Sequence, residues 1–335
     1  MSIEINSLVG NEELEKFYSK PFAFSYSGIN KLLFSPSLFY SHYILNERED
    51  STDSHLLAGR VVHCLLLEPE NFDKEFMVMP TSLPSGNNKN IVDQIFKVYT
   101  SNHGGDLNLE DFKDEIISYL EEINLHQSLK TDEQRLKKIL SDQNKSYFKF
   151  LKEKQDKTIV DNDIVNQATE SVRVLKADPE ICELLQLNSD SELEVHNELY
   201  IEAPVSPVYP FGIKGVIDNI VIDEKKKIIF INDLKTTGKP LIDFGDSVEF
   251  YKYWIQAAIY RRLVEHKFGI RLGWKIMFTF LVIDKYNMYY PFQVTSTTFK
   301  LWDLELNYIL DQCKYHYESR DYTLPYKLAK RKVKL

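Results

Sequence analysis

Two acidic residues and a lysine in the second half of the chain are the side chains best suited to chemistry. Residues 215–218 end on Asp218, and Asp233 and Lys235 stand two residues apart in the next apolar run. Successive side chains of a strand point to opposite faces, so Asp233 and Lys235 are predicted to share a face while Leu234 points away. An acid in so apolar a strand is costly unless it is paired or holds a cation. The three residues could therefore bind a divalent metal ion together with a phosphate.

Such a site has the groups that metal-assisted phosphodiester hydrolysis requires. The reaction needs hard oxygen ligands for Mg²⁺ or Mn²⁺, a positioned water and positive charge near the developing negative charge. Asp218 and Asp233 can supply carboxylates from two paired strands. Lys235 is expected to position the water and stabilise charge. Its role as a base stays open, because nearby carboxylates raise a lysine pKa and bound cations lower it.

Four further residues are candidates from their places along the chain. Glu198 could be another metal ligand on the preceding strand, or could pair with a basic neighbour. His63 could bring a nitrogen ligand or a phosphate contact from a helix, or could be an ordinary core histidine. Gln256 and Tyr260 lie four residues apart and share a helix face. They could hold DNA backbone or orient Lys235, or could simply pack against the sheet.

Bulk properties limit the class of protein. The chain has 335 residues, 43 % of them hydrophobic, which supports a sizeable core. No apolar run has the length a bilayer requires and no leader pattern begins the chain, so a soluble, intracellular protein is expected. The three cysteines lie far apart without a CxxC pair, so a zinc site, an iron–sulfur cluster or a disulfide framework is not expected. The net charge of −9 argues mildly against a nucleic-acid partner, although metal ions and local lysine clusters can compensate.

The predicted elements place a helical first half before a mixed sheet. Helices are predicted over residues 37–45, 54–67 and 161–176, with a loop over 80–90 and a helical stretch over 91–154. Strands are predicted over 194–202, 212–223, 227–234, 274–283 and 288–294. A helix over 247–267 is predicted to begin with a capping box of Asp246 and Glu249, and a last helix follows. We therefore predict an α/β fold with a mixed central sheet flanked by helices and an N-terminal helical layer.

The order of the candidate residues resembles the PD-(D/E)XK nuclease superfamily, specifically its RecB-like branch. The matching segments are Gly215-Val216-Ile217-Asp218 for G-x-x-D, Asp233-Leu234-Lys235 for (D/E)-x-K, and Gln256-Ala257-Ala258-Ile259-Tyr260 for Q-x-x-x-Y. Residues 24–79 and 157–264 are most similar to RecE-type (exodeoxyribonuclease VIII) exonucleases. A single nuclease domain over 1–335 is expected, with an N-terminal helical part (1–79) carrying His63, a helical insertion (80–156) and a catalytic α/β core (157–335).

The resemblance implies a site for Mg²⁺, with Mn²⁺ as a substitute. The implied ligands are His63, Asp218, Asp233 and the backbone carbonyl of Leu234, with Glu198 as a further candidate. Lys235 matches the catalytic lysine. Gln256 and Tyr260 complete the predicted catalytic set. We also expect DNA contacts from Thr236, Thr237, Lys239 and Tyr260.

The resemblance also implies an activity. Family members degrade linear duplex DNA from 5′ ends, leave a 3′ overhang for a single-strand annealing partner, and form ring-shaped homo-oligomers. Their genes are typical of phages and prophages, so the bacterial cytoplasm is the expected location. The chain lacks the iron–sulfur cysteines and the helicase P-loop of other relatives. Two alternatives stay open: a structure-specific or single-strand DNA nuclease, and a non-catalytic DNA-binding or assembly protein on the same fold.

Overall fold

The protein is described by a computed structural model in two compact units. The described residues are 15–47, 54–101, 105–154, 156–187, 193–269 and 273–331. One unit comprises those within Met1–Pro69 and Ala168–Leu335, and the other those within Glu70–Gln167. None of the helices in these ranges is long and apolar enough to cross a membrane.

Most helices precede the long strands along the chain. The strands are β1 (Ala23–Phe24), β2 (Phe76–Val78), β3 (Thr158–Val160), β4 (Glu194–Pro204), β5 (Gly212–Asp223), β6 (Ile228–Thr237), β7 (Lys275–Asp284) and β8 (Tyr289–Val294). The α-helices are α1 (Tyr26–Phe34), α2 (Pro36–Phe39), α3 (Ser54–Leu67), α4 (Phe72–Glu75), α5 (Gly86–Ser101), α6 (Lys113–Glu122), α7 (Asp132–Ile139), α8 (Asp142–Lys154), α9 (Asn162–Lys176), α10 (Pro179–Leu185), α11 (Phe244–Phe250), α12 (Tyr253–Phe268), α13 (Ser296–Ser319) and α14 (Tyr326–Ala329). Short 3₁₀ or π turns cover Tyr40–Ile44, Pro69–Asn71, Leu109–Asp111 and Leu241–Asp243.

The larger unit is built on a six-stranded mixed sheet. Its strands follow the order β1-β5-β6-β7-β8, and β4 pairs with the opposite edge of β5. β5 is antiparallel to both β4 and β6, whereas β6 and β7 are parallel. The parallel pair needs a crossover connection, which α11 and α12 provide. The prediction of an α/β fold with a mixed sheet flanked by helices is confirmed.

The sheet opens where the two predicted acids stand. β6 pairs with β5 only from Asn219, opposite Asn232, to Asp223. β1 pairs with the same edge of β5 nearer its N-terminal end, at Gly212 and Ile213. Residues 214–218 thus have no ladder partner on that edge among the described strands. Asp218 immediately precedes Asn219 and Asp233 immediately follows Asn232, so both acids lie at the fork where the β5–β6 ladder ends.

Helix α12 covers the central strands and explains the apolar character of the predicted segments. Its buried face includes Ile255, Ala258, Ile259 and Leu263, which belong to the same core as the strand residues. The predicted helix over 54–67 is confirmed by α3. Ser35 caps α2, since its side chain accepts a hydrogen bond from the amide of Leu38, and Pro36 occupies the first position of the helix.

Two local predictions were wrong. The predicted loop over 80–90 ends earlier, because α5 begins at Gly86. The predicted helix over 247–267 is two helices, α11 and α12, separated at Lys252, whose φ is 57°. Asp246 therefore lies inside α11 and forms no capping box with Glu249.

The break between α11 and α12 has a long-range cause. The carbonyl oxygen of Tyr251 accepts hydrogen bonds from the Tyr26 hydroxyl and from Asn30 Nδ2, at 2.5 and 3.2 Å. Both donors lie on α1, more than 200 residues earlier in the chain. Local patterns carry no signal for such a contact, which is why the sequence favoured one continuous helix.

The smaller unit has its own hydrophobic core. Its two strands, β2 and β3, pair in parallel, as Phe76 with Thr158 and Val78 with Val160 show. The residues packed inside come mainly from α5, α6 and α8 and include Ile91, Ile95, Ile116, Leu120 and Phe148. The residues of the predicted helical insertion, 80–156, fall within this unit.

Candidate active site

The fork between β5 and β6 brings the three central residues together. Asp233 is fully buried and Asp218 is 7 % exposed. Asp218 Oδ2 accepts a hydrogen bond from the backbone amide of Leu234 at 2.7 Å, which joins the two strands where their ladder ends. Lys235 Nζ forms an ion pair with Asp233 Oδ2. Asp233 and Lys235 thus meet on one face, as the strand period predicted.

Helix α3 carries His63 to the same place. His63 Nε2 lies 3.0 Å from the carbonyl oxygen of Leu234. His63 Nδ1 lies 3.5 Å from Glu198 Oε1 and 3.6 Å from Asp218 Oδ2. Gly59, one turn earlier, allows this approach, because a Cβ there would come within 2.9 Å of Thr236 Oγ1.

Glu198 reaches the site through an unusual backbone conformation. Its φ is 46°, in the left-handed region that non-glycine residues rarely adopt. The β4–β5 ladder passes from Asn197–Asn219 to Leu199–Ile217 and leaves out the Glu198–Asp218 position between them. Such strain is typical of functional sites, where surrounding structure holds it in place.

The donor set fits a divalent metal ion. One ligand atom from each of His63, Glu198 and Asp218 lies within 4.8 Å of the other two. Both carboxylate oxygens of Asp233 are buried. Apart from the ion pair with Lys235, they have no hydrogen-bond partner among the described residues. Buried polar atoms normally have partners. Carboxylate and carbonyl oxygens with one imidazole are ligands that suit Mg²⁺ or Mn²⁺.

The electrostatics of the site favour added positive charge. Burial raises the pKa of Asp233 to about 6, although Lys235 opposes this shift. Burial likewise raises the pKa of Asp218. For His63, burial disfavours the charged ring, yet Asp218 and Glu198 raise its pKa above the ordinary value. The carboxyl groups of Asp218 and Asp233 thus hold protons more tightly than in water, and a bound cation could replace those protons.

Gln256 and Tyr260 meet on the predicted face of α12. Gln256 Nε2 donates to Tyr260 Oη at 2.8 Å, and the Tyr260 hydroxyl donates to the carbonyl oxygen of Val216. The tyrosine ring lies on Gly215, where a Cβ would come within 2.7 Å of it. This contact explains why a glycine begins the G-x-x-D segment. Gln256 Oε1 is buried and has no hydrogen-bond partner among the described residues.

The remaining predicted residues lie beyond the acids at the end of β6. Thr236 is exposed and Thr237 is half-buried. The backbone amide of Lys239 donates to Thr237 Oγ1 at 3.0 Å. Tyr260, in contrast, is only 5 % exposed, so the structure places it in the packing between helix and sheet. The predicted DNA contacts of these four residues stay predictions.

The sequence did not identify Tyr253 as a residue of the site. Its ring lies 5.1 Å from Lys235 Nζ, on the first turn of α12. Tyr253, Gln256 and Tyr260 follow one another at spacings of three and four, so the helical period could have revealed it. Such a ring can hold a buried ammonium group through its π face.

A ladder of three asparagines next to the acids was also missed. Asn219 Nδ2 donates to Asn197 Oδ1, and Asn232 Nδ2 donates to Asn219 Oδ1, each at 2.8 Å. The same amide groups reach the carbonyl oxygens of Leu184 and Leu185 at the end of α10. Asn219 and Asn232 directly flank the acids in sequence, so the ladder fixes the backbone at the fork.

The fold and the site together define a PDDEXK-like nuclease domain. Residues 25–312 match the family described as a PDDEXK-like domain of unknown function (DUF3799), and the chain belongs to this family. The resemblance to the PD-(D/E)XK superfamily is thereby confirmed, and the match supports a nuclease that uses divalent metal and acts on DNA.

Among solved structures, the chain is similar to a crystal structure from Eubacterium rectale described as a "Putative exonuclease", with 12 % sequence identity and a TM-score of 0.45 over 100 % of this chain and 94 % of that one. No curated protein matches the chain.

Proposed function

We propose that the protein is a metal-dependent exonuclease that hydrolyses phosphodiester bonds of linear double-stranded DNA. The observation that carries the proposal is the convergence of Asp218, Asp233, Lys235 and His63 at the fork between β5 and β6. These side chains come from two consecutive strands and from α3, which lies about 150 residues earlier in the chain. Asp233 is 0 % exposed and its carboxylate oxygens lack hydrogen-bond partners, which packing of the core alone does not explain.

The proposed metal ligands are those brought together at the fork. They are His63, Asp218, Asp233, the carbonyl oxygen of Leu234 and Glu198. A bound Mg²⁺ or Mn²⁺ would polarise the scissile phosphate and lower the pKa of a bound water. The buried oxygens of Asp233 and the strained backbone of Glu198 support this assignment.

Lys235 is the proposed catalytic lysine. Asp233 and Asp218 outweigh the effect of burial and keep its pKa above the ordinary value, so the ammonium group is charged in the absence of metal. Its ion pair with Asp233 and the ring of Tyr253 fix its direction. We assign it to positioning the attacking water and stabilising negative charge on the phosphate.

Gln256 and Tyr260 are proposed to complete the catalytic set. Burial holds the pKa of Tyr260 well above its usual value, so its hydroxyl remains a donor to the carbonyl oxygen of Val216. This bond fixes the strand that ends on Asp218. The unpartnered Gln256 Oε1 can accept a hydrogen bond from a water or a substrate group.

The finer assignment to the RecE type rests on the sequence resemblance of residues 24–79 and 157–264. It implies 5′ to 3′ degradation in phage-type recombination, a single-strand annealing partner and a homo-oligomer. DNA contacts from Thr236, Thr237 and Lys239 belong to the same proposal, since these residues continue directly from Lys235.

The test compares linear, nicked and closed circular duplexes of one sequence, each with Mg²⁺ or Mn²⁺. The proposal predicts that linear DNA is degraded from its ends while closed circles stay intact. Labels on the 5′ and 3′ ends report the polarity. Cleavage of closed circles would instead establish an endonuclease, and intact linear DNA with either metal would support a non-catalytic binding protein.

A further inference from the structure

A continuous series of rings and lysines leads from Lys235 to the protein surface. Lys235 Nζ lies 5.1 Å from the centre of the Tyr253 ring. The Tyr253 ring stacks on Tyr251 at 5.4 Å. Lys239 Nζ then lies 5.4 Å from the Tyr251 ring and 5.3 Å from the Phe250 ring. The series therefore connects the proposed catalytic lysine with the loop that follows β6.

The outer end of this series is exposed yet firmly held. Phe250 is 71 % exposed and Tyr251 is 40 % exposed, and their rings meet edge-on at 4.9 Å. The backbone of Tyr251 is fixed by the two hydrogen bonds that its carbonyl oxygen accepts from Tyr26 and Asn30. Exposed apolar side chains that lie together at a protein surface are typical of a binding site.

The charges around these rings indicate what kind of ligand they take. Lys239 adds positive charge, but Asp246 and Glu249 on α11 are exposed acids close to Phe250 in sequence. A surface for duplex backbone alone would avoid such acids, because phosphates are repelled by carboxylates. Aromatic faces beside one lysine instead suit unpaired nucleobases, which stack on rings regardless of sequence.

We propose that Phe250 and Tyr251 form a stacking platform for unpaired bases of the DNA strand next to the cleavage site, with Lys239 contacting the phosphate between them. The inference rests on the proposed nuclease function, because the platform is continuous with Lys235 through Tyr253. It identifies the substrate as a DNA end with unpaired bases, since bases within a duplex do not expose their faces.

The experiment measures binding separately from cleavage. Ca²⁺ replaces Mg²⁺, and the probes are a labelled single-stranded oligonucleotide and a strand of equal length whose sugars lack bases. The two probes carry equal backbone charge, and only the first has bases that can stack on the rings. The variants are Phe250→Ala, Phe250→Ala with Tyr251→Ala, and Lys239→Ala. Tyr308→Ala and Lys330→Ala are matched controls, since Tyr308 is an exposed ring and Lys330 lies over the Tyr315 ring.

The platform predicts that the wild-type protein prefers the strand with bases by roughly 5- to 150-fold. The double variant loses this preference, Phe250→Ala reduces it, and Lys239→Ala weakens binding of both probes. Circular dichroism checks that each variant is folded, and Phe250→Ala keeps the test informative if the double variant is not. Both controls should bind as the wild type does.

Three results distinguish the platform from the proposed function. Equal wild-type affinity for both probes, or an unchanged preference in folded variants, overturns the platform even if linear DNA is cleaved with Mg²⁺. An unchanged preference with a changed oligomeric mass shows that the rings contact another copy of the chain, which also overturns it. A lost preference in a protein that cleaves no DNA supports the platform and contradicts the nuclease function.

Discussion

The backbone amide of Leu234 donates a 2.7 Å hydrogen bond to Asp218, while its carbonyl oxygen lies 3.0 Å from His63 Nε2. One residue thus connects an acid from β5 with a histidine from α3. The same residue separates Asp233 from Lys235 in sequence, so its backbone fixes the positions of four proposed active-site residues. The side chain of Leu234 is buried on the other face, which anchors this backbone in the core.

Replacing Asp233 with asparagine should abolish cleavage and stabilise the metal-free protein. Burial raises the pKa of this acid to about 6, so above that pH its ionisation costs more free energy in the folded protein than in the unfolded chain. We expect the free energy of unfolding at pH 8 in EDTA to rise by about 1–3 kcal/mol in Asp233→Asn. Urea denaturation measures this change in the free energy of unfolding. Asp223→Asn is the control, because the pKa of Asp223 is lowered by its backbone hydrogen bond with Lys226 and no stabilisation should follow.

Replacing Lys235 should change stability in the opposite direction. Lys235→Met removes the charge partner of Asp233 and leaves a fully buried carboxylate without it. Breaking such a pair destabilises a protein by about 3–5 kcal/mol. The same denaturation experiment in EDTA measures this loss, and the cleavage rate with Mg²⁺ should fall by about 100-fold or more. A stability equal to that of the wild type would show that the pair contributes nothing.

The stability of the metal-free protein should fall as pH rises from about 5 to 7. The pKa values of Asp233, Asp218 and His63 are all raised in the folded protein, so folding favours their protonated forms. The contribution of Asp233 is complete below about pH 4, the pKa of an unfolded aspartate, and is lost as pH rises through about 6.

Added Mn²⁺ should reverse this trend, because metal ligands must be deprotonated. Thermal melting with and without Mn²⁺ across this pH range measures both effects. In Asp233→Asn the fall should be smaller. A metal-free protein that becomes more stable between pH 5 and 7 would contradict the assigned pKa directions.

His63→Ala should weaken metal binding more than it weakens the fold. The ring lies beside the carbonyl oxygen of Leu234 and two carboxylates, so its loss removes one proposed ligand. We expect Mn²⁺ affinity to fall by roughly 10- to 100-fold, measured from the concentration at which Mn²⁺ raises the melting temperature. His266→Ala, an exposed histidine on α12, is the control. Unchanged Mn²⁺ affinity in His63→Ala would make His63 an ordinary core histidine.

Tyr260→Phe should lower both stability and cleavage. The change keeps the ring on Gly215 but removes the hydroxyl that donates to Val216 and accepts from Gln256. Leaving these buried groups without partners costs about 1–3 kcal/mol. Urea denaturation and the cleavage rate measure the two effects, with Tyr308→Phe as the control. A fully stable, fully active Tyr260→Phe would remove Tyr260 from the catalytic set.

Much of this fold could be predicted because its signals are local. The apolar segments of β5 and β6, the turn between them and the extent of α3 follow from periodicity and turn residues. Asp233 and Lys235 were placed on one face by strand alternation alone. The sequence order of the motifs then indicated the superfamily, which the family match confirmed.

The rest depends on contacts between distant residues. The break before α12 follows from hydrogen bonds with Tyr26 and Asn30. Helix α5 begins at Gly86, although the composition of residues 80–90 is typical of a loop. The left-handed backbone of Glu198 and the asparagine ladder arise only when three strands are aligned. The expected single domain with an insertion over 80–156 stays a prediction.

The central claim is that Asp218, Asp233 and Lys235 form a metal-dependent cleavage site. The most direct test incubates an end-labelled linear duplex with Mg²⁺ and the wild type, Asp233→Asn or Lys235→Met, with EDTA and the exposed-site variant Tyr308→Ala as controls. We predict that the wild type and Tyr308→Ala release labelled products with Mg²⁺ but not with EDTA, that Asp233→Asn releases none, and that Lys235→Met releases them at least about 100-fold more slowly. Cleavage by folded Asp233→Asn at the wild-type rate, or wild-type cleavage in EDTA, would contradict the claim.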